Sequence, residues 1–169
     1  MNAHRPLAFT LALLASQTAW TQTPPPTAAA APALPYGPAI SLADARTCAA
    51  AVQAEAARNQ WLMVVTVVDS GGHTVLTERM DNAQFGSVQP ALEKAQGAVA
   101  FRRPTKVFED MIAQGGATLR LLRLPGVLPI DGGLPIVRDG KIIGGVGTSG
   151  GTSTQDGIAA AACLTALSK

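Results

Sequence analysis

Apolar side chains recur at Leu42, Ala45, Ala49, Val52 and Ala56, the spacing of one helical face, behind Ser41 as a capping residue and Asp44 in the first turn. This helix should end near Asn59. Residues 61–68, Trp-Leu-Met-Val-Val-Thr-Val-Val, run almost without a polar break and are rich in β-branched side chains, which predicts a strand covered on both faces. A turn at Asp69-Ser70-Gly71-Gly72 sends the chain back as a more polar strand over 73–80. Ser87 is placed to cap a helix that tolerates Pro90 in its first turn and carries Val88, Leu92, Ala95 and Val99 inward, until Pro104 interrupts it. A second helical piece over 106–114 stops at Gly115-Gly116, and 118–124 adds a turn before Pro125-Gly126. A short strand is expected around 127–130. Two apolar runs flanking Asp139-Gly140 then predict a hairpin, because a type I′ turn needs positive φ at both central residues. An alanine-rich helix from about 154 to 167 closes the chain.

The strands arrive as hairpins rather than alternating singly with helices. The sheet should therefore be mainly antiparallel, in an α+β single domain with helices on its faces.

Only the front of the chain departs from this patterning. His4 and Arg5 precede an apolar stretch over 7–15 that is too short to span a bilayer and of the length found in secretory leaders. From Gln22 the chain is Pro, Thr and Ala with almost no charge, a composition suited to an extended tether. The organisation expected is a signal peptide over 1–21, a Pro/Ala-rich tether over 22–40 and a folded domain over 41–169, placed in the periplasm or secreted. A formal net charge of +2, with no Lys/Arg cluster beyond Arg102-Arg103, argues against nucleic acid or an anionic membrane as the main partner. The two cysteines, Cys48 and Cys163, fall in the first and last helices. An oxidising compartment and an even count favour a disulfide; two buried thiols that never meet are the alternative.

Several residues carry candidate chemistry. Residues 147–151, Gly-Thr-Ser-Gly-Gly, match the nucleophile-elbow pattern between a strand and a helix, but no histidine follows to complete a triad. The same loop can seat an anion on backbone N–H groups at a helix start, with Thr148, Ser149, Thr152 and Ser153 adding hydroxyls, or it can be a plain turn and cap. His73 is the one histidine outside the leader; it suits an axial ligand to heme iron or a general base, and a solvated turn residue is the plain alternative. Arg79, Met80 and Asp81 close the second strand. By strand parity His73 and Arg79 face the same side, about 20 Å apart at ~3.3 Å per residue, so a small metabolite cannot touch both. Lys94 lies beside the inward stripe of its helix and is placed either to reach a ligand carboxylate or to be solvated.

Taken in order, the segments at 68–73 (Val-Asp-Ser-Gly-Gly-His), 78–83 (Glu-Arg-Met-Asp-Asn-Ala), 91–95 (Ala-Leu-Glu-Lys-Ala), 103–105 (Arg-Pro-Thr), 124–126 (Leu-Pro-Gly), 132–136 (Gly-Gly-Leu-Pro-Ile) and 143–150 (Ile-Gly-Gly-Val-Gly-Thr-Ser-Gly) resemble the GlcG/HbpS-like heme-binding family. The likeness spans 41–167. It implies a five-stranded antiparallel sheet with packed helices, in a profilin-like or roadblock-like arrangement, a homo-oligomer, and heme or a related tetrapyrrole as cofactor. Arg79, Asp81, Lys94, Gly133, Gly147 and Gly150 sit on the family pattern. The expected function is an exported carrier, store or sensor of heme. Its cofactor-binding residues would be His73 (also the iron ligand), Arg79, Asp81, Lys94, Gly147, Ser149 and Gly150. The alternatives are an enzyme or scavenger of a small oxidised acid or aldehyde, and a structural oligomer with no active site.

Overall fold

The computed structural model describes residues 33–168, so the expected leader and most of the tether lie outside the described residues. The elements follow as α1 (Leu42–Arg58), β1 (Val64–Asp69), β2 (Thr74–Arg79), α2 (Val88–Ala100), α3 (Lys106–Ala113), β3 (Gly133–Arg138), β4 (Lys141–Ser149) and α4 (Ser153–Leu167), with 3-10 turns at Phe85–Ser87 and Gly116–Arg123. The sheet has the order β2-β1-β4-β3, with every neighbouring pair antiparallel. It has four strands, not five. Residues 127–130 form no strand: Pro129 has no N–H to give a ladder, and Ile130 donates its N–H to the Leu128 carbonyl in a tight turn. The outer edge of β3 is blunted by Pro135.

Two helical layers cover the sheet. Val65 and Val67 of β1 enter the core under α1 and α4, while Val64 and Val68 meet Ala91, Ala95 and Val99 of α2. The nearly continuous apolar run at 63–68 thus fills both faces. Cys48 of α1 and Cys163 of α4 are bonded and fully buried, closing the two helices on each other. Ser41 caps α1 by accepting the Asp44 N–H. At the β3–β4 hairpin Asp139 and Gly140 adopt φ of 51° and 70°, as the type I′ turn demands.

Two features depart from the sequence reading. The pairing of β1 with β2 slips between Val67 and Val68, so Val75 is an extra residue: Val67 faces Leu76 and Val68 faces Thr74. That bulge breaks the alternation, and the parity argument placing His73 and Arg79 on one face does not survive it. The folded domain also begins earlier than residue 41. Ile142 donates to the Pro35 carbonyl at 2.9 Å, Gly37 to that of Ile142 at 2.8 Å, and Ile40 to that of Ile143 at 2.8 Å, so the end of the tether continues the sheet alongside β4, where β1 has ended. Among the described residues no helix is long and apolar enough to cross a membrane.

Candidate functional site

The glycines of β3 and β4 first determine how closely α2 approaches. A Cβ at Gly147 would collide with the Ala91 carbonyl oxygen, one at Gly145 would come within 2.6 Å of Val99 and 2.8 Å of the Ala95 carbonyl, and one at Gly133 would strike the Lys94 carbonyl. The helix backbone thus lies directly on the strands. Thr105 fixes the start of β3 on both sides, giving its N–H to the Gly133 carbonyl and accepting the Gly133 N–H on its hydroxyl, each at 2.9 Å. Much of the glycine-rich pattern at 132–147 is therefore a requirement of close packing.

Lys94 is neither solvated nor open to a ligand. It is 1 % exposed, and its ammonium donates to Asp156 Oδ2 at 2.6 Å and to the Thr148 carbonyl at 3.1 Å. Asp156, in the first turn of α4, is the residue the sequence reading missed. Its other oxygen accepts the Gly151 N–H at 3.0 Å. Burial pushes the Asp156 carboxyl above its ordinary range, opposed by Lys94 and by the N–H groups of Gly151 and Gly150. At the 147–151 loop the N–H groups that open α4 thus meet the chain's own Asp156 carboxylate rather than an open seat. Thr152 completes the cap: its hydroxyl accepts the Gln155 N–H, while the Gln155 side chain accepts the Thr152 N–H at 2.9 Å. Of the proposed binding residues, Gly147 lies under α2, Ser149 is 8 % exposed, and Gly150 sits where any Cβ would strike the Leu62 carbonyl. Beside this cluster Glu109 accepts the Asp131 N–H at 2.6 Å and the Ser153 hydroxyl at 3.2 Å. Burial, with the neighbouring Glu109 charge, raises the Asp131 carboxyl.

The remaining candidates occupy opposite ends of β2. Arg79 and Asp81 are exposed at one end, where Arg79 donates to the Ala83 carbonyl at 2.7 Å. With Gln53, Glu78 and Met80 they line a shallow cleft on the free edge of the sheet, in which Gln53 donates to Glu78 at 2.6 Å. Arg79 and Ser149 stand in one cross-strand row through Val64, about 10 Å apart at ~4.8 Å per strand. His73 lies at the far end of β2, in the β1–β2 turn. There Asp69 Oδ1 accepts the N–H groups of Gly71 and His73 at 2.8 and 2.9 Å and lies 3.4 Å from His73 Nδ1. Against a desolvation cost acting upward, those two N–H groups and the imidazole hold the Asp69 carboxyl below its usual value. The His73 side chain is 84 % exposed, and Nε2 has no hydrogen-bond partner among the described residues. A second cleft opens beside this turn, lined by Tyr36, residues 70–72, Gln96, Val99 and Ala100.

An antiparallel sheet enclosed by helices, with a glycine-dependent α2 contact and an internally neutralised anion seat, is the architecture against which relatives can be compared. The family model described as haem degrading protein HbpS-like matches residues 40–165, and the chain belongs to this family. It is 41% identical over 133 residues to an uncharacterized 15.0 kDa protein of the dhaT-dhaS intergenic region of Citrobacter freundii, covering 77% of this chain and 93% of that one. It is 39% identical over 100 residues to protein GlcG of Escherichia coli K12, covering 59% and 73% of the two chains. Among solved structures, a PduOC:heme complex superposes with a TM-score of 0.69 at 34% identity, covering 76% of this chain and 94% of that one.

Proposed function

We propose that this protein is an exported heme- or tetrapyrrole-binding protein acting as a carrier, store or sensor. The observation that carries the reading is the likeness to the PduOC:heme complex across nearly all of that chain. The local chemistry agrees with it. A metal-binding histidine is typically oriented by a carboxylate near its other nitrogen; Asp69 Oδ1 lies 3.4 Å from His73 Nδ1, within reach of that role on a small shift of the ring, and Nε2 is left available to iron. Arg79 and Asp81 are a strand length from His73, about 20 Å at ~3.3 Å per residue, so they reach the same ligand only from a neighbouring copy in a homo-oligomer. Lys94 and the 147–151 loop contribute by holding α2, β4 and α4 together rather than by touching ligand. Export is supported by the leader-like pattern over 1–21 and by the Cys48–Cys163 bond, which an oxidising compartment sustains. The reading of a small oxidised acid or aldehyde as substrate is weakened, because its carboxylate would have to displace Asp156 from the loop.

Hemin titration followed by visible spectroscopy tests the reading. A saturable Soret change is expected, and His73→Ala should shift or abolish it. A wild-type protein with no saturable change refutes heme binding. An unchanged spectrum in His73→Ala refutes only the assignment of the iron ligand.

A further inference from the structure

Residues 111–130 differ from the rest of the domain in how little they bury. The stretch holds five leucines and two isoleucines, yet none of its residues is buried and none is acidic. At its centre is the 3-10 segment Gly116–Arg123, which packs on α3. Three residues per turn bring side chains at i and i+3 into line, so the segment divides into three stripes. Thr118, Leu121 and Leu124 form the half-buried one, turned toward the protein. Leu119 and Leu122 form the second; they are 47 % and 60 % exposed and about 6 Å apart along the axis at ~2.0 Å per residue. Ala117, Arg120 and Arg123 form the third, which is exposed as well. Neither arginine has an ion-pair partner among the described residues. The carboxylates that bracket the stretch are engaged elsewhere, Asp110 by Lys106 and Asp131 by the Gly132 N–H. An apolar stripe beside a cationic one, with no acid between them, therefore faces solvent. The chain's overall charge of +2 hides this, because the acidic side chains that offset the basic ones lie on other elements.

We propose that this face is a docking surface for an anionic phospholipid bilayer, a peripheral contact that does not depend on the heme reading. Leu119 and Leu122 enter the boundary between headgroups and acyl chains, and Arg120 and Arg123 meet the lipid phosphates. Charge selects this occupant over a second copy of the chain. A two-fold contact centred on the leucines would bring both copies' arginines together, with no carboxylate of the stretch to separate them. A phosphate surface neutralises the same arginines, and the guanidinium fork matches phosphate oxygens in pairs.

Vesicle cosedimentation tests the proposal. The chain from Gln22 onward keeps every described residue and omits the leader-like stretch, which would insert on its own. Its binding to vesicles of equal parts phosphatidylglycerol and phosphatidylcholine should saturate with lipid, and should fall to background on phosphatidylcholine alone. Leu119, Arg120, Leu122 and Arg123 are all exposed, so substitutions there leave the core intact. Leu119→Gln/Leu122→Gln should weaken binding about tenfold, and Arg120→Gln/Arg123→Gln by a similar factor. Wild-type protein that stays in the supernatant with both lipids, or that binds both equally, overturns the proposal. So does binding that either double variant leaves unchanged. Sedimentation velocity without lipid checks the rival occupant: a wild-type oligomer that Leu119→Gln/Leu122→Gln dissociates would assign the face to a second copy instead.

Discussion

Replacing Asp156 with alanine should be the most damaging single change at the loop that the sequence marks as an anion seat. In the wild type the carboxylate neutralises Lys94 at 2.6 Å and accepts the Gly151 N–H at 3.0 Å, in a site where Lys94 is 1 % exposed. Without it the ammonium keeps only the Thr148 carbonyl as a hydrogen-bond partner and loses its bonded counter-charge, with Asp131 acting on it only through space. Removing one partner of a buried pair costs about 3–5 kcal/mol. Lys94→Met should cost less, about 1–3 kcal/mol, because the carboxylate left behind keeps the Gly151 N–H and the favourable end of the α4 dipole. At about 2–4 °C per kcal/mol for a domain of this size, Asp156→Ala should lower Tm by roughly 10 °C and Lys94→Met by about half as much. Urea unfolding monitored by Trp61 fluorescence and far-UV circular dichroism gives both free energies. The double variant should cost less than the sum of the singles, since neither charge is then stranded. If Asp156→Ala costs under about 1 kcal/mol, or Lys94→Met costs more than Asp156→Ala, the assignment of Asp156 as the internal anion is wrong.

Three further outcomes follow from the geometry. The Cys48–Cys163 bond joins positions 115 residues apart, so reducing it removes up to about 4–5 kcal/mol of unfolded-state constraint; thiol titration of denatured, unreduced protein should find no free thiol, and two would refute the bond. Gly147→Ala places a Cβ against the Ala91 carbonyl, forces α2 off the sheet and should destabilise by about 2 kcal/mol or more, measured as a shifted urea midpoint; a neutral result would show that α2 yields without cost. Asp131 has its folded-state carboxyl raised, first by burial and then by Glu109, so its contribution to stability is full below the ordinary carboxylate range and is lost as pH rises through the raised value. Asp131→Asn, which keeps an oxygen for the Gly132 N–H, should therefore stabilise the protein at pH 7 relative to wild type, with the gain vanishing toward pH 3; a pH-independent difference would contradict this.

Much of the scaffold was readable from local rules. The Asp139-Gly140 turn, the Ser41 cap and the doubly buried β1 each follow from a preference that acts over a few residues, and tertiary packing agrees with all three. What stayed hidden depended on partners distant in sequence. Lys94 looks like a surface lysine on its helix because nothing nearby predicts that Asp156, 62 residues on, will meet it. One signal was available: a lone aspartate in the first turn of an otherwise alanine-rich helix, just after the glycine loop. The bulge at Val75 carries no local mark, and it overturns the parity that joined His73 to Arg79. Composition also misled at the front of the domain, where Pro35 and Tyr36 read as tether but pair with Ile142. The expected strand at 127–130 failed because Pro129 has no N–H to give and Ile130 is held in a turn by the Leu128 carbonyl. In the candidate site, glycines read as ligand contacts turned out to be packing positions, because a missing Cβ serves a helix backbone as well as it serves an anion.

Heme binding through His73 is the proposal on which the functional reading stands. Titration of the purified protein with hemin, followed at the Soret band against the same additions to buffer and to His73→Ala, tests it most directly. A spectrum that saturates at a fixed ratio of hemin to chain, and that the His73→Ala variant alters or loses, is expected. A wild-type difference spectrum that rises without saturation, as hemin does on non-specific surfaces, would contradict it.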